Sequence, residues 1–106
     1  MLALATYLVI HTPIETEVEA ARKPSDLLGL ARAATAPRAT PRWIKTWSPD
    51  LNDDRLFTLW EAENSAEILA MLERFGFLDD MTAQAMRVRE WGPIDVLASQ
   101  AEGAPE

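Results

Sequence analysis

A predicted β-hairpin between Pro41 and Glu63 is the feature that most constrains how this chain can fold. Two runs of alternating residues flank a segment rich in Pro, Asp and Asn, and alternation with period two is typical of paired strands. The pairing that we expect across the hairpin is Trp47 with Leu56, Lys45 with Thr58, and Trp43 with Trp60. Three of the four tryptophans then share one face, and the other face carries Ile44, Phe57 and Leu59.

A sheet that is apolar on both sides needs a cover on each side, and this chain has only 106 residues. Domains of this size bury about 60 to 65% of the surface of the unfolded chain, so the helices suffice for one cover. We therefore expect a partner subunit or a ligand over the second face.

The composition, 48% hydrophobic and 25% charged, predicts a single globular domain. The formal charge of −7 at pH 7 disfavours nucleic acid and anionic membranes as partners, because both are negatively charged. The absence of cysteine excludes disulfides and thiolate zinc sites and agrees with a reducing cytoplasm. The apolar N-terminal run is too short to span a bilayer. We expect a cytoplasmic protein with no nucleic-acid or membrane partner.

Before the hairpin, the sequence predicts a strand, an acidic loop and a short helix. The strand runs from Leu4 to Thr12 and stops at Pro13, which has no N–H to donate to a ladder. The segment from Pro13 to Pro24 carries Glu15, Glu17 and Glu19 at period two and predicts a solvated loop. Ser25 is a good N-cap for the helix. The expected apolar stripe of this helix is Leu27, Leu28, Ala31 and Ala34.

After the hairpin, the sequence predicts a second helix, an edge strand and a tail. Asn64 and Glu67 have the spacing of a capping box, and Gly76 stands where helices commonly end in a left-handed residue. The expected apolar positions of the helix are Ile68, Leu72 and Phe75. Alternation from Ala83 to Trp91 predicts the edge strand. An apolar arm, Ile94 to Leu97, completes a single domain of residues 1–98, and we expect residues 99–106 to be a disordered tail.

The element order βαββαβ predicts an α+β fold of the ferredoxin-like type. Its four-stranded antiparallel sheet is expected in the spatial order 4-1-3-2, with both helices on one face. The other face then remains apolar and uncovered. Closing two such sheets face to face, as a dimeric α+β barrel, is the symmetric way to cover it.

Three segments carry a family resemblance: Trp43 to Trp47, Arg55 to Ala62, and Ser65 to Glu67. Together they resemble a largely uncharacterised family of small bacterial proteins with the dimeric α+β barrel fold, some of which bind nickel. The resemblance covers roughly Leu4 to Trp91, and it implies the barrel fold and a homodimer.

The nickel-binding relatives carry histidines at the end of the first strand, where this chain has only His11. A metal site here has to be completed by carboxylates or by His11 of a second subunit. Transition-metal sites usually need three or four N or S donors. We expect no metal site within one chain and no cofactor.

His11 and Glu61 are the candidate catalytic residues. His11 is either a polar strand end or a ligand or general base, since imidazole titrates near neutral pH. We expect it near the Arg55 to Phe57 end of the third strand, with Glu61 at the far end, so the two form no dyad within one chain. Glu61 either pairs with Arg42 across the hairpin or is a buried carboxylate with a raised pKa.

The candidate ligand-binding residues are Trp43, Lys45, Trp47, Thr58 and Trp60. They could line an amphipathic pocket, or they could be interface packing. A calcium-loop spacing also occurs, with acidic or amide residues at Asp50, Asn52, Asp54 and Glu61. Arg55 stands where that loop requires Gly, so we predict an Asx-type turn from Ser48 to Asp54 instead.

Three functions remain open from the sequence. The first is a homodimer that binds a small molecule in the cavity between its two sheets. The second is a cofactor-independent isomerase or monooxygenase of the same fold, with His11 or Glu61 as proton carrier. The third is a structural or interaction module with a filled core.

Overall fold

The computed structural model describes residues 3–14, 26–49 and 53–103. Its elements are β1 (Ala5–His11), α1 (Leu27–Ala33), β2 (Arg42–Trp47), β3 (Leu56–Ala62), α2 (Ser65–Arg74), α3 (Phe77–Asp80), β4 (Gln84–Val88) and α4 (Pro93–Gly103). The predicted acidic loop beyond position 14, the predicted cap at Ser25, and Asp50 and Asn52 of the calcium-like pattern lie outside the described residues.

The four strands form one antiparallel sheet in the order β2-β3-β1-β4. Counted from the β4 edge, the same neighbours read 4-1-3-2. The α+β class and the four-stranded antiparallel sheet are confirmed. β1 is central, and beyond its end an isolated bridge between Pro13 and Met81 continues its contact with the β4 side of the sheet.

A β-bulge at Ile44 divides the hairpin into two registers. Before it, Trp43 pairs with Trp60, as the sequence predicted; after it, Thr46 pairs with Thr58. The remaining pairs are Arg42 with Glu61, Lys45 with Leu59, and Trp47 with Phe57. The expected pairs of Lys45 with Thr58 and Trp47 with Leu56 are therefore wrong by one residue. Because side chains alternate across a strand, one extra residue moves every later side chain to the opposite face.

The bulge removes the single tryptophan-bearing face that the sequence predicted. Trp43 and Trp60 point to the face that the helices cover, where Trp60 is fully buried. Trp47 points to the other face and is 47% exposed. The tryptophans of the hairpin are thus divided between the two sides of the sheet.

The core lies between the sheet and the helices. Its buried members are Val9, Leu30, Ala34, Trp60, Ala62, Ile68, Leu72 and Phe77. Two backbone hydrogen bonds fix α1 in this layer, from Asp26 N to Phe75 O (2.9 Å) and from Trp43 N to Ala34 O (3.1 Å). They tie the start of α1 to the end of α2, and the end of α1 to β2.

Helix α1 is capped by Asp26, whose carboxylate accepts from the Gly29 N–H at 2.8 Å. Its buried residues include Leu30 and Ala34, whereas Leu27 and Leu28 are exposed. The predicted stripe is therefore wrong at Leu28, because the helix turns its Leu30 side toward the sheet. Leu27 lies on that same side, one turn before Leu30, but is 52% exposed.

Helix α2 follows the prediction more closely. Asn64 accepts from the Glu67 N–H (2.8 Å), and the Glu67 carboxylate reaches back to the Glu63 N–H (2.9 Å). Ile68 and Leu72 are buried. Gly76 has the left-handed φ of 78° expected after the helix, and the short α3 begins directly behind it.

Helix α4 replaces the predicted apolar arm. It runs from Pro93 to Gly103 and so extends into the segment expected to be a disordered tail. The Asp95 carboxylate accepts from the Gly92 N–H at its start (2.7 Å). Among the described residues, none of the helices combines the length and apolar character needed to cross a bilayer.

The second face of the sheet, called here the open face, is covered by none of the helices that the structure describes. The paired strands place Leu8, Ile10, Lys45, Trp47, Phe57, Leu59, Met86 and Val88 on this side. Their side chains are half-buried or exposed. The expected apolar and uncovered face therefore exists, although the bulge changes its membership.

Candidate functional site

A cavity of about 400 Å³ lies between the helices and the covered face of the sheet. Its lining residues are His11, Leu27, Leu30, Trp43, Thr46, Ser48, Leu56, Thr58, Trp60, Leu72 and Phe77. Apolar side chains from α1, α2 and α3 form one wall, and strand residues form the other. The cavity is thus built within one chain, whereas the sequence predicted one between two sheets.

Three buried polar side chains are linked along the strand wall. The Trp60 Nε1–H donates to Thr58 Oγ1 at 2.8 Å. The same hydroxyl lies 2.7 Å from His11 Nε2, and the tautomer of the ring sets which of the two donates. His11 is fully buried and Thr58 is 5% exposed. This chain of contacts fixes the imidazole at the cavity wall.

The imidazole of His11 is held in its neutral form. Burial lowers the pKa of His11 below its ordinary value of 6.5, and the nearby Thr82 backbone acts in the opposite direction more weakly. The Phe77 ring packs edge-on against it, with ring centroids 4.9 Å apart. His11 Nδ1 is buried without a hydrogen-bond partner of good geometry. An imidazolium here would be a buried charge with no counter-charge among the described residues.

A second polar contact lies near the mouth of the cavity, where the Trp43 Nε1–H donates to Thr46 Oγ1 at 2.9 Å. The Trp43 ring stacks on Trp60 with centroids 6.1 Å apart and 15° between planes. Because the bulge brings Thr46 to the covered face, Trp43 and Thr46 sit on the same side of β2. The two indoles together make a broad aromatic wall.

The structure divides the predicted ligand-binding residues between two places. Trp43, Thr58 and Trp60 line the cavity. Lys45 and Trp47 lie on the open face, where the Lys45 ammonium is 5.7 Å from the Trp47 ring centroid. Those two assignments are corrected, and the cause is the bulge at Ile44.

The two candidate catalytic residues lie far apart, as the sequence predicted. His11 pairs with Leu56 at one end of β3, and Glu61 pairs with Thr6 at the other. Glu61 is exposed on the open side of the sheet, which rules out the alternative of a buried carboxylate. Arg42 faces Glu61 in the register but donates to the Ala36 carbonyl at 3.4 Å.

Several lining residues were missed by sequence reasoning. Leu56 has the same strand parity as Thr58 and Trp60, so its place on the cavity wall was available from the alternation. Thr46 was hidden by the bulge. The helical lining residues Leu30, Leu72 and Phe77 look like ordinary core residues, and no sequence signal separates a core position beside a cavity from a filled one.

The described residues hold no group of three or more His, Asp or Glu side chains that could bind a metal ion. Near the calcium-like pattern, Asp53 accepts from the Arg55 N–H at 3.0 Å and from its guanidinium. This pairing lowers the pKa of Asp53 to about 2. Asp53 and Arg55 thus form an Asx-type turn directly before β3, which begins at Leu56.

Comparison of the chain with protein-family models, with curated proteins and with solved structures finds no match in any of the three. The fold and the cavity define this molecule as a small α+β protein with a partly open, largely apolar cavity.

Proposed function

We propose that this protein binds a small, largely apolar and uncharged molecule in the cavity between its helices and its sheet. The observation that carries the proposal is the cavity of about 400 Å³, with a buried His11–Thr58 pair in an otherwise mainly apolar wall. Ligand sites are typically about 300 to 1,000 Å³, apolar in most of their lining, and provided with a few placed polar groups.

The charge of the lining selects for an uncharged ligand. Among the described residues, the lining includes no Lys, Arg, Asp or Glu, and its one titratable group is a neutral histidine. Moving a charge from water into such a site costs several kcal/mol or more when it finds no partner. The hydroxyls of Thr46, Thr58 and Ser48 can orient one polar group of the ligand.

Binding is better supported than proton-transfer catalysis. His11 Nε2 is occupied by the Thr58 hydroxyl, and Nδ1 is buried. A general base has to lie within hydrogen-bond reach of the proton that it takes. Glu61, the other candidate proton carrier, is on the opposite side of the sheet. The geometry therefore favours a binding protein over an isomerase or monooxygenase.

The proposal is tested with N-phenyl-1-naphthylamine, an uncharged dye that fluoresces in apolar surroundings. We expect saturable binding of one dye per chain. Leu56→Trp should weaken it at least about tenfold, because the larger ring occupies part of the cavity. Phe57→Trp is the matched control, since it enlarges the neighbouring residue of the same strand on the open face. Circular dichroism checks that both variants are folded.

The dye 8-anilinonaphthalene-1-sulfonate, which adds an anionic group to the same ring system, serves as a matched ligand. It should bind at least about tenfold more weakly, since the cavity offers no cation. Dye binding that is lost in Phe57→Trp and kept in Leu56→Trp would contradict the proposal, because it would place the dye on the open face. Equal affinity for both dyes would contradict the preference for an uncharged ligand.

We also propose that the fold of the single chain is related to that of the dimeric α+β barrel family, and that the protein is cytoplasmic. The order of the four strands, α1 and α2, with α3 and α4 as additions, supports the first, and the absence of cysteine supports the second.

A further inference from the structure

Two apolar surfaces of this chain have no partner within the described residues. The first is a groove on the open face, lined by Leu8, Trp47, Leu59 and Val88 and ending at Arg89, Glu90 and Trp91. The second is α4, whose described side chains from Pro93 onward are all exposed. None of the described side chains of α4 lines the groove.

Helix α4 exposes several large apolar side chains, which is unusual for a helix surrounded by solvent. Ile94 and Leu97, one turn apart on the helix, are 76% and 64% exposed, and Trp91 just before it is 69% exposed. Isolated helices shorter than about 12 to 15 residues are marginal in water. An 11-residue helix whose described side chains are all exposed therefore indicates a further surface on which it is stabilised.

The open face fits this helix in length. Eleven residues at about 1.5 Å each give a helix of roughly 16 Å. Four strands spaced about 4.8 Å apart have outer axes roughly 14 Å from each other. The helix can thus cross the whole sheet in one layer.

The two surfaces are continuous through Trp91. Its ring lines the end of the groove, and Trp91 stands just before the start of α4.

We propose that the occupant of the open face is a second copy of this chain, with α4 of each copy lying across the groove of the other. Because each copy supplies one helix and one groove, the exchange closes as a two-fold dimer and leaves neither surface exposed. The exposed parts of Trp91, Ile94 and Leu97 offer on the order of 300 to 400 Å² of apolar surface. Two such contacts, counted on both partners, bury roughly 1,400 Å², which lies in the range of stable interfaces.

Sedimentation equilibrium is the first measurement. The wild-type protein should be a dimer at micromolar concentration. Leu97→Asp should raise the dimer dissociation constant at least about 30-fold, the effect of losing one interface hot spot. Ser99→Asp is the matched control, because it adds the same charge about half a turn away on the polar side of α4. A wild-type protein that remains a monomer at micromolar concentration would overturn the proposal. So would equal effects of Leu97→Asp and Ser99→Asp on the dimer dissociation constant.

Cross-linking identifies which surfaces meet, and the absence of native cysteine makes it specific. Single variants Leu97→Cys and Leu59→Cys are treated with a short bis-maleimide, alone and as an equilibrated mixture. Helix-on-face exchange predicts covalent dimers in the mixture and few in either variant alone. Cross-linking of Leu97→Cys alone would show helix–helix pairing, and cross-linking of Leu59→Cys alone would show sheets packed face to face.

The double variant, carrying both cysteines in one chain, tests the intrachain alternative. Exchange predicts a doubly linked dimer on a denaturing gel. A linked monomer would show that α4 folds back on its own sheet, and the proposal would be overturned.

Discussion

Thr58 is the residue on which the buried polar atoms of the cavity depend. Its hydroxyl accepts from Trp60 Nε1 and lies against His11 Nε2. Thr58→Val keeps the shape but leaves both nitrogens without a partner, at about 1 to 3 kcal/mol for each buried group. We expect the free energy of unfolding to fall by about 2 to 4 kcal/mol, measured by urea denaturation.

Thr46→Val is the control for that prediction. Thr46 is exposed and its hydroxyl accepts from Trp43 Nε1, so water can replace the lost contact. The expected cost is about 1 kcal/mol or less. Equal losses in the two variants would mean that the Thr58 hydroxyl has no special role.

His11 should make stability depend on pH in one direction. Burial lowers the pKa of His11 below its ordinary 6.5 in the folded chain, so the unfolded chain binds the proton more readily. The stabilisation is complete above pH 6.5 and is lost as the pH falls from there toward the folded pKa. The loss is at most about 1.4 kcal/mol per pH unit, the value for one proton.

Urea denaturation between pH 7.5 and 5.5 checks the sign, with His11→Gln as the variant that lacks the titrating group. Wild type should lose stability relative to His11→Gln toward pH 5.5. A gain of wild-type stability on acidification would show that the folded protein prefers the imidazolium, and the neutral assignment would be wrong.

At the scale of elements, Gly76 joins α2 to α3 with a left-handed φ of 78°. A Cβ in that conformation costs about 1 to 2 kcal/mol. Gly76→Ala should therefore lower the free energy of unfolding by about 1 kcal/mol after the gain from a stiffer unfolded chain. Thermal denaturation of Gly92→Ala gives the control, since a Cβ at Gly92 meets nothing within 4 Å. A loss in Gly92→Ala as large as that in Gly76→Ala would contradict the conformational account.

The strands could be predicted from the sequence because alternation is a local property. The bulge at Ile44 could not be predicted, since alternation within β2 does not show that one of its residues lacks a partner in β3. That single residue decides which side of the sheet Trp47, Lys45 and Thr46 occupy. The predicted pairing is accordingly confirmed for Trp43, which precedes the bulge, and is wrong for Lys45 and Trp47, which follow it.

The helices show the same limit in another form. The two ends of α2 are set by residues close in the sequence. Asn64 as the N-cap and Gly76 as the left-handed residue after the helix could therefore both be predicted. Leu30 rather than Leu28 faces the sheet in α1 because tertiary packing sets the rotation of a short helix. For α4 a signal was present: Pro93 at the first helical position and Asp95 reaching back to the Gly92 N–H are common helix starts.

At the scale of the whole molecule, the two sides of the sheet have different chemistry. One side encloses the cavity with His11 and Thr58, and the other is the open face beside α4. The sequence predicted the surplus of apolar surface correctly but could not divide it between an internal cavity and an external face. That division follows from the bulge and from the direction of α4, which are both tertiary properties.

The most direct test of the cavity is the set of four tryptophan indole N–H resonances in a ¹H–¹⁵N correlation spectrum, recorded during titration with N-phenyl-1-naphthylamine. Trp43 and Trp60 line the cavity, whereas Trp47 and Trp91 lie at the groove of the open face. We expect the resonances of Trp43 and Trp60 to shift in a saturable way and those of Trp47 and Trp91 to stay in place. Shifts confined to Trp47 and Trp91 would contradict the account, because the ligand would then lie on the open face.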